Sequence, residues 1–140
     1  MSSESFTGFV HESLHLLQRE VPAAHAAMCA PVAGRTVAIE ADGEALSLRF
    51  GVDAARAADP ASAADVRVRT SARAVLALAD GECSLLEAVF GDQLVLQGTP
   101  EAVIAFHDAL VAYLHGAVRA PSFPGLLRRF RARAQGGVRR

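Results

Sequence analysis

The residues with the most direct chemical potential lie near the start of the chain, where His11, Glu12, Ser13, Leu14 and His15 spell H-E-x-x-H. On a helix that spacing sets two imidazoles one turn apart to hold zinc, with a carboxylate between them to activate water. A zinc hydrolase needs more: a His pair facing a cleft, a third ligand, and usually a strand beside the helix. The extended motif asks for a glycine three residues after His15 and a histidine six after it, where this chain has Gln18 and Val21. His25 and Glu40 remain as remote third ligands. On a helical wheel His11 and His15 fall largely opposite Phe9 and Leu17, so the pair reads as the wet side of an amphipathic helix. Leu14 and Leu17 then matter more than the two histidines.

Other reactive constellations are weaker. Asp53, Asp59 and Asp65 lack the spacing of a calcium loop. Gly91, Gly98 and Gly116 stand singly and form no phosphate-binding loop. His107 and His115 fall on the polar side or near the end of a long helix, where a protonated imidazole is an ordinary stabiliser. No nucleophile is found with a base and an orienting group, and neither a metal nor a cofactor is expected.

The chain has 140 residues, 51% hydrophobic and 21% charged, enough apolar material for one sizeable core. No apolar run approaches the roughly 20 residues that span a bilayer, and the N-terminal residues lack the basic and apolar regions of a signal peptide. A cytoplasmic protein is expected. Cys29 and Cys83 are isolated and read as buried thiols. The net charge of -1 hides an asymmetry: Lys is absent, every acid lies at or before Asp108, and seven of the fourteen Arg lie from Arg119 onward. These totals predict one domain over residues 1–118, followed by a basic tail or lid over 119–140.

The elements that must position any site follow from periodicity. Phe6, Phe9, Val10, Leu14, Leu17 and Val21 form a helical stripe. Pro22 ends or kinks that helix, and the alanines up to Met28 add one short turn before Pro31. From Arg35 the period becomes two. A two-residue Asp42-Gly43 turn pairs Ala41 with Glu44, Ile39 with Leu46 and Val37 with Leu48, so turn type and hydrophobic register agree. Residues 52–64 hold a short edge strand and a loop. Asp65 to Arg69 alternate as a strand with two Arg outward, and Thr70 or Ser71 caps a helix from Ala72 to Ala79 that Gly81 stops. Ser84 to Glu87 is a capping box opening a short helix, and Gln93 to Gln97 reads as a central strand. Thr99-Pro100-Glu101 starts a helix that Gly116 ends near His115, with Val103, Phe106, Leu110 and Leu114 inside. Leu126 to Arg131 form one or two basic amphipathic turns.

This order of helix, hairpin, strand, two short helices, strand and long helix resembles the type-two sterol carrier protein family. The most specific part is residues 65–114, "DVRVRTSARAVLALADGECSLLEAVFGDQLVLQGTPEAVIAFHDALVAYL". Val66 and Val68, the paired Leu76 and Leu78 with Gly81, Val89 and Phe90, Leu94 to Gly98, and Phe106 to Leu114 match the family's succession of elements. The family's usual lysines are replaced by Arg, and the last residues are Val138-Arg139-Arg140 and not S-K-L, so no peroxisomal role is carried over.

The resemblance implies an α/β (α+β) fold: a five-stranded mixed, largely antiparallel sheet covered by about five helices and enclosing an apolar tunnel. It implies a non-catalytic bacterial carrier of a lipid or other hydrophobe, with Val89, Phe90, Leu94, Leu96, Phe106, Leu110 and Leu114 binding the ligand. The alternative is an enzyme or accessory subunit of a lipid, quinone or secondary-metabolite pathway, acting on a hydrophobic substrate in the same pocket. Leu126, Leu127 and Phe130, with the arginines from Arg128 to Arg133, offer transient contact with a membrane or protein. Nucleic acid is not expected, because aromatics are not interleaved with the arginines beyond Phe130.

Overall fold

The computed structural model describes residues 5–52, 54–59 and 63–138, with side chains up to 132. Asp53 and Pro60, part of the expected edge segment, lie outside the described residues. Two helices open the chain, α1 (Phe6–Glu20) and α2 (Pro22–Val32). The strands β1 (Thr36–Ala41), β2 (Glu44–Phe50), β3 (Ala55–Ala58) and β4 (Val66–Thr70) follow. Then come α3 (Ala72–Ala79), α4 (Leu85–Phe90), β5 (Val95–Gly98), α5 (Pro100–Ala117) and α6 (Phe123–Val138).

The hairpin has the register that its sequence demands. Val37 pairs with Leu48 and Ile39 with Leu46, across a turn in which Asp42 and Gly43 take φ of 52° and 85°. Both central residues with positive φ give the turn whose twist matches the flanking strands. The sheet order is β3-β2-β1-β4-β5, with β1 and β4 parallel and the other neighbours antiparallel. This is the expected mixed, largely antiparallel sheet. β5, expected at the centre, is instead an edge strand. Its Val95 and Leu96 are only half-buried, so an apolar run on both faces reflected packing at the margin and not a central place.

Two further expectations are corrected around the prolines and glycines. The segment after Pro22 is a full eleven-residue helix and not a short turn. Pro22 takes the first helical position, where its missing N–H costs nothing, and Pro31 falls in the last turn. Gly116 does not stop α5, which runs on to Ala117. Gly116 is a point of close approach instead: a Cβ there would stand 2.6 Å from Ala24 Cβ on α2 and 2.7 Å from Leu17 Cδ1 on α1.

Acidic residues distant in sequence tie the elements together. Both Glu44 carboxylate oxygens accept bonds from the amides of Phe6 and Thr7 at the start of α1, at 3.1 and 3.0 Å. Asp42 Oδ2 accepts from the Ala72 amide at 2.8 Å, beside the Ser71 cap of α3. Each places negative charge at a helix N-terminus with unpaired amides. The hairpin thereby fixes where two helices begin.

The C-terminal segment, expected as tail or lid, forms α6 against α1 and α3. Phe130 stacks on Phe9 with ring centroids 4.3 Å apart, and Phe123 lies 6.2 Å from the same ring. Leu126 and Phe130 are buried, so these two side chains are packed inside and are not available to a membrane. Arg131 grips Asp80 through both guanidinium nitrogens and both carboxylate oxygens at 2.7–3.0 Å, and Arg129 meets Glu12 at 2.8 Å. Among the described residues no helix is long and apolar enough to cross a membrane.

Glu20 closes the turn into α6, where its carboxylate accepts from both the amide and the hydroxyl of Ser122. These bonds hold its pKa below the ordinary value of 4.5, with Arg19 helping and desolvation opposing. A carboxyl whose folded pKa is lowered stabilises the fold above its unfolded pKa and loses that contribution as pH falls through the folded value. Glu20→Gln is therefore expected to be less stable than the parent at neutral pH, with the gap closing below about pH 4 in urea titrations. An unchanged gap across that range would contradict the assignment. Gly116→Ala should lower stability by about 1–2 kcal/mol, because overpacking outweighs the better helix propensity of alanine. Equilibrium unfolding checks it, and a more stable variant would contradict the close packing.

Candidate functional site

The first candidate, H-E-x-x-H, is placed on α1 as an outer face. His15 is exposed and His11 half-buried. Glu12, which would activate water in a hydrolase, is held by Arg129. His25 is buried on α2 with Nδ1 4.0 Å from Cys29 Sγ, and Glu40 is exposed on the strand face opposite the core residues of β1. Neither joins the pair: among the described residues, no three His, Cys, Asp or Glu side chains converge as a metal-ligand set. Cys29 is buried and Cys83 half-buried.

The larger feature is a cavity of about 400 Å³ between the sheet and the helices. Its floor is the inward row of the sheet, where register brings together Ile39, Leu48, Phe50, Val68 and Thr70. Phe6, Phe9, Val10 and Leu14 of α1 form one side. Phe106, Leu110, Tyr113 and Leu114 of α5 form another, with Val75 and Leu78 of α3 and Phe123, Pro124 and Leu127 at the α6 end. Val118 is 77% exposed and Pro124 is exposed, and both line the cavity, so the wall meets solvent where α5 gives way to α6.

Helix α5 explains why space remains. Ala102, Ala105, Ala109, Ala112 and Gly116 follow one another along one flank at helical spacing, and α2 is the main packing partner of α5. Close approach is therefore achieved with small side chains. Phe106, Leu110, Tyr113 and Leu114 occupy the neighbouring flank and stay half-buried. Large apolar side chains that are neither exposed nor fully packed are what a cavity wall requires.

Of the seven residues expected from the sequence to bind ligand, Leu94, Phe106, Leu110 and Leu114 line this cavity. Val89, Phe90 and Leu96 do not. Phe90, at the end of the short α4, is 79% exposed, and Leu86 one turn earlier is 65% exposed. Helix α4 packs through Ala88, which is fully buried, and turns those two side chains outward. Leu96 lies across from Val68 on the edge strand, outside the lining. Leu127, expected at a membrane or partner surface, lines the cavity. The contribution of the N-terminal half was missed. Its signal is the α1 stripe itself, in which Phe6, Phe9, Val10 and Leu14 share one helical face.

The wall is almost free of polar groups. Among the described residues of the lining, only Thr70 and Tyr113 carry side-chain oxygen or nitrogen, and Arg, His, Asp and Glu are absent from it. Thr70 Oγ1 donates to the Gln93 carbonyl at 2.9 Å, and Tyr113 Oη donates to Ser13 Oγ at 2.8 Å. Burial pushes the Tyr113 phenol up to about 12, against the opposing bond to Ser13.

This architecture coincides with what comparison finds. The chain matches the model of the SCP-2 sterol transfer family over residues 14–111, and it belongs to that family. Among solved structures it is similar to UbiJ-SCP2, a ubiquinone synthesis protein, with 22% identity, a TM-score of 0.55, and 76% of this chain and 93% of that one covered. A crystal structure of sterol carrier protein 2 gives 16% identity and a TM-score of 0.53, covering 75% of this chain and 92% of the other. The solution structure of a conserved hypothetical protein from Thermus thermophilus gives 16% and 0.52, covering 79% and 89%. No curated protein matches the chain in sequence. The structural similarities, all at low identity, establish the common fold.

The single tyrosine in a chain without lysine gives a clean test of this wall. A phenol whose folded pKa exceeds its unfolded value of about 10 stabilises the fold below that value and loses the contribution as pH rises through about 12. Phenolate absorbance of the native protein should therefore appear only near pH 12, and Tyr113→Phe should flatten the fall in stability between about pH 10 and 12. Phenolate at pH 10 without unfolding would contradict the enclosed position.

Proposed function

We propose that the protein is a non-catalytic carrier that shields a lipid or other hydrophobic small molecule in the cavity between sheet and helices, acting in the cytoplasm. The observation that carries this reading is the almost wholly apolar wall around about 400 Å³, without a charged side chain among the described residues. That volume falls in the range of small-molecule sites, which are concave and mostly apolar. A hydrocarbon chain gains roughly 0.8 kcal/mol for each methylene taken out of water, and this gain requires no catalytic group. Membership of the SCP-2 sterol transfer family supports the same use.

Leu94, Phe106, Leu110 and Leu114, joined by Phe9, Leu14, Ile39 and Leu127, are the residues proposed to contact the ligand. Helix α6 serves as the lid, held by the Phe9–Phe130 stack and the Asp80–Arg131 pair. A second reading, as an accessory subunit that presents a hydrophobic intermediate to a biosynthetic partner, draws support from similarity to UbiJ-SCP2, a ubiquinone synthesis protein. Recovery of an enzyme in pull-downs with the intact chain would favour it over a free carrier.

Titration with dodecylpyrene tests the carrier reading. Pyrene fluorescence should show saturable uptake, and Leu110→Trp, which fills the space, should weaken it at least tenfold without unfolding the protein. Ile104→Ala, on the exposed side of the same helix, should leave uptake unchanged. Absence of uptake by the parent protein, or equal uptake by the Leu110 variant, would overturn the reading.

A further inference from the structure

Among the described residues of the lining, the two that carry a hydroxyl, Thr70 and Tyr113, have their protons committed elsewhere. Ser13 Oγ donates its one proton to the Val10 carbonyl at 2.8 Å, and a carbonyl can only accept. In the 2.8 Å contact between Tyr113 Oη and Ser13 Oγ the tyrosine must therefore be the donor. Thr70 likewise gives its proton to the Gln93 carbonyl. What both oxygens keep is lone pairs, and among the described residues no cationic side chain stands in the lining to offset an anion.

On the carrier reading above, we propose that the cavity selects a hydrophobe bearing a neutral hydrogen-bond donor, an alcohol or phenol, over one whose polar atoms only accept. A ligand hydroxyl reaching Tyr113 or Thr70 finds an acceptor. A ketone or ester oxygen in the same place meets another oxygen with no proton between them, and its lost hydration is not replaced. A carboxylate adds an unpaired charge, which an apolar wall tolerates least. The relay Tyr113 to Ser13 to Val10 is thus a specificity device: the serine decides which way the phenol proton points.

Competition against bound dodecylpyrene tests this with three ligands of equal chain length: decanol, methyl decanoate and ionised decanoate. Expressing each affinity as the ratio of parent to Tyr113→Phe cancels their different solubilities in water. The ratio for decanol should be about three to tenfold above that for the ester, the size of one net hydrogen bond. Ser13→Ala frees the phenol proton to turn toward the cavity, so methyl decanoate should gain relative to decanol. If dodecylpyrene binds but the three ratios are equal and Ser13→Ala leaves their order unchanged, the donor preference is overturned while the carrier reading stands. If dodecylpyrene does not bind, the carrier reading falls and takes the preference with it.

Discussion

The contact on which the architecture depends is the approach of α5 to α1 and α2 at Gly116. There the backbone of α5 comes so near Ala24 and Leu17 that even a methyl group does not fit. Holding that flank of α5 tight, with alanines along the rest of it, fixes the helix's rotation. The rotation then turns Phe106, Leu110, Tyr113 and Leu114 toward the sheet, where they meet side chains that cannot fill the space between. The cavity is a consequence of asymmetric side-chain size around one helix: small residues where packing must be close, large ones where it is left open.

Charge placement reinforces the same geometry from outside. Glu44 and Asp42 in and beside the hairpin fasten the starts of α1 and α3, while Glu12, Glu20 and Asp80 anchor α6 and the turn before it. Several carboxylates that stand in sequence near candidate catalytic groups are therefore structural partners. The basic C-terminal segment is legible in the same terms, because Arg129 and Arg131 complement acids on α1 and at the end of α3, on the helix whose Phe130 stacks on Phe9.

Local regularities were readable in the sequence to the extent that they are set locally. The hairpin register follows from Asp42-Gly43 and strict alternation, and the capping box at Ser84 and Glu87 forms both of its bonds. Non-local choices were less legible. The apolar run of β5 fits a central or an edge strand equally, and only pairing with β4 on one side decides it. Gly116 looks like a helix stop until its neighbours across space are known. Along the cavity, the α5 stripe marks Phe106, Leu110 and Leu114 as lining residues, whereas Val89 and Phe90 fall outside the lining because the six-residue α4 buries Ala88, leaves Val89 half-buried and turns Phe90 out. The pairing of Ser13 with Tyr113, a hundred residues apart, carries no periodic signal at all.

An apolar wall without charged side chains among the described residues, and a C-terminal helix held by ion pairs, are what the proposed carrier rests on, a protein whose working part would be a volume and not a reactive group. The most direct measurement is native mass spectrometry of the protein purified without detergent. The account predicts a population carrying a noncovalent hydrophobic small molecule that is released by organic solvent and absent from the Leu110→Trp variant. A spectrum of the bare chain alone, from a protein that also excludes added alkyl probes, would contradict it.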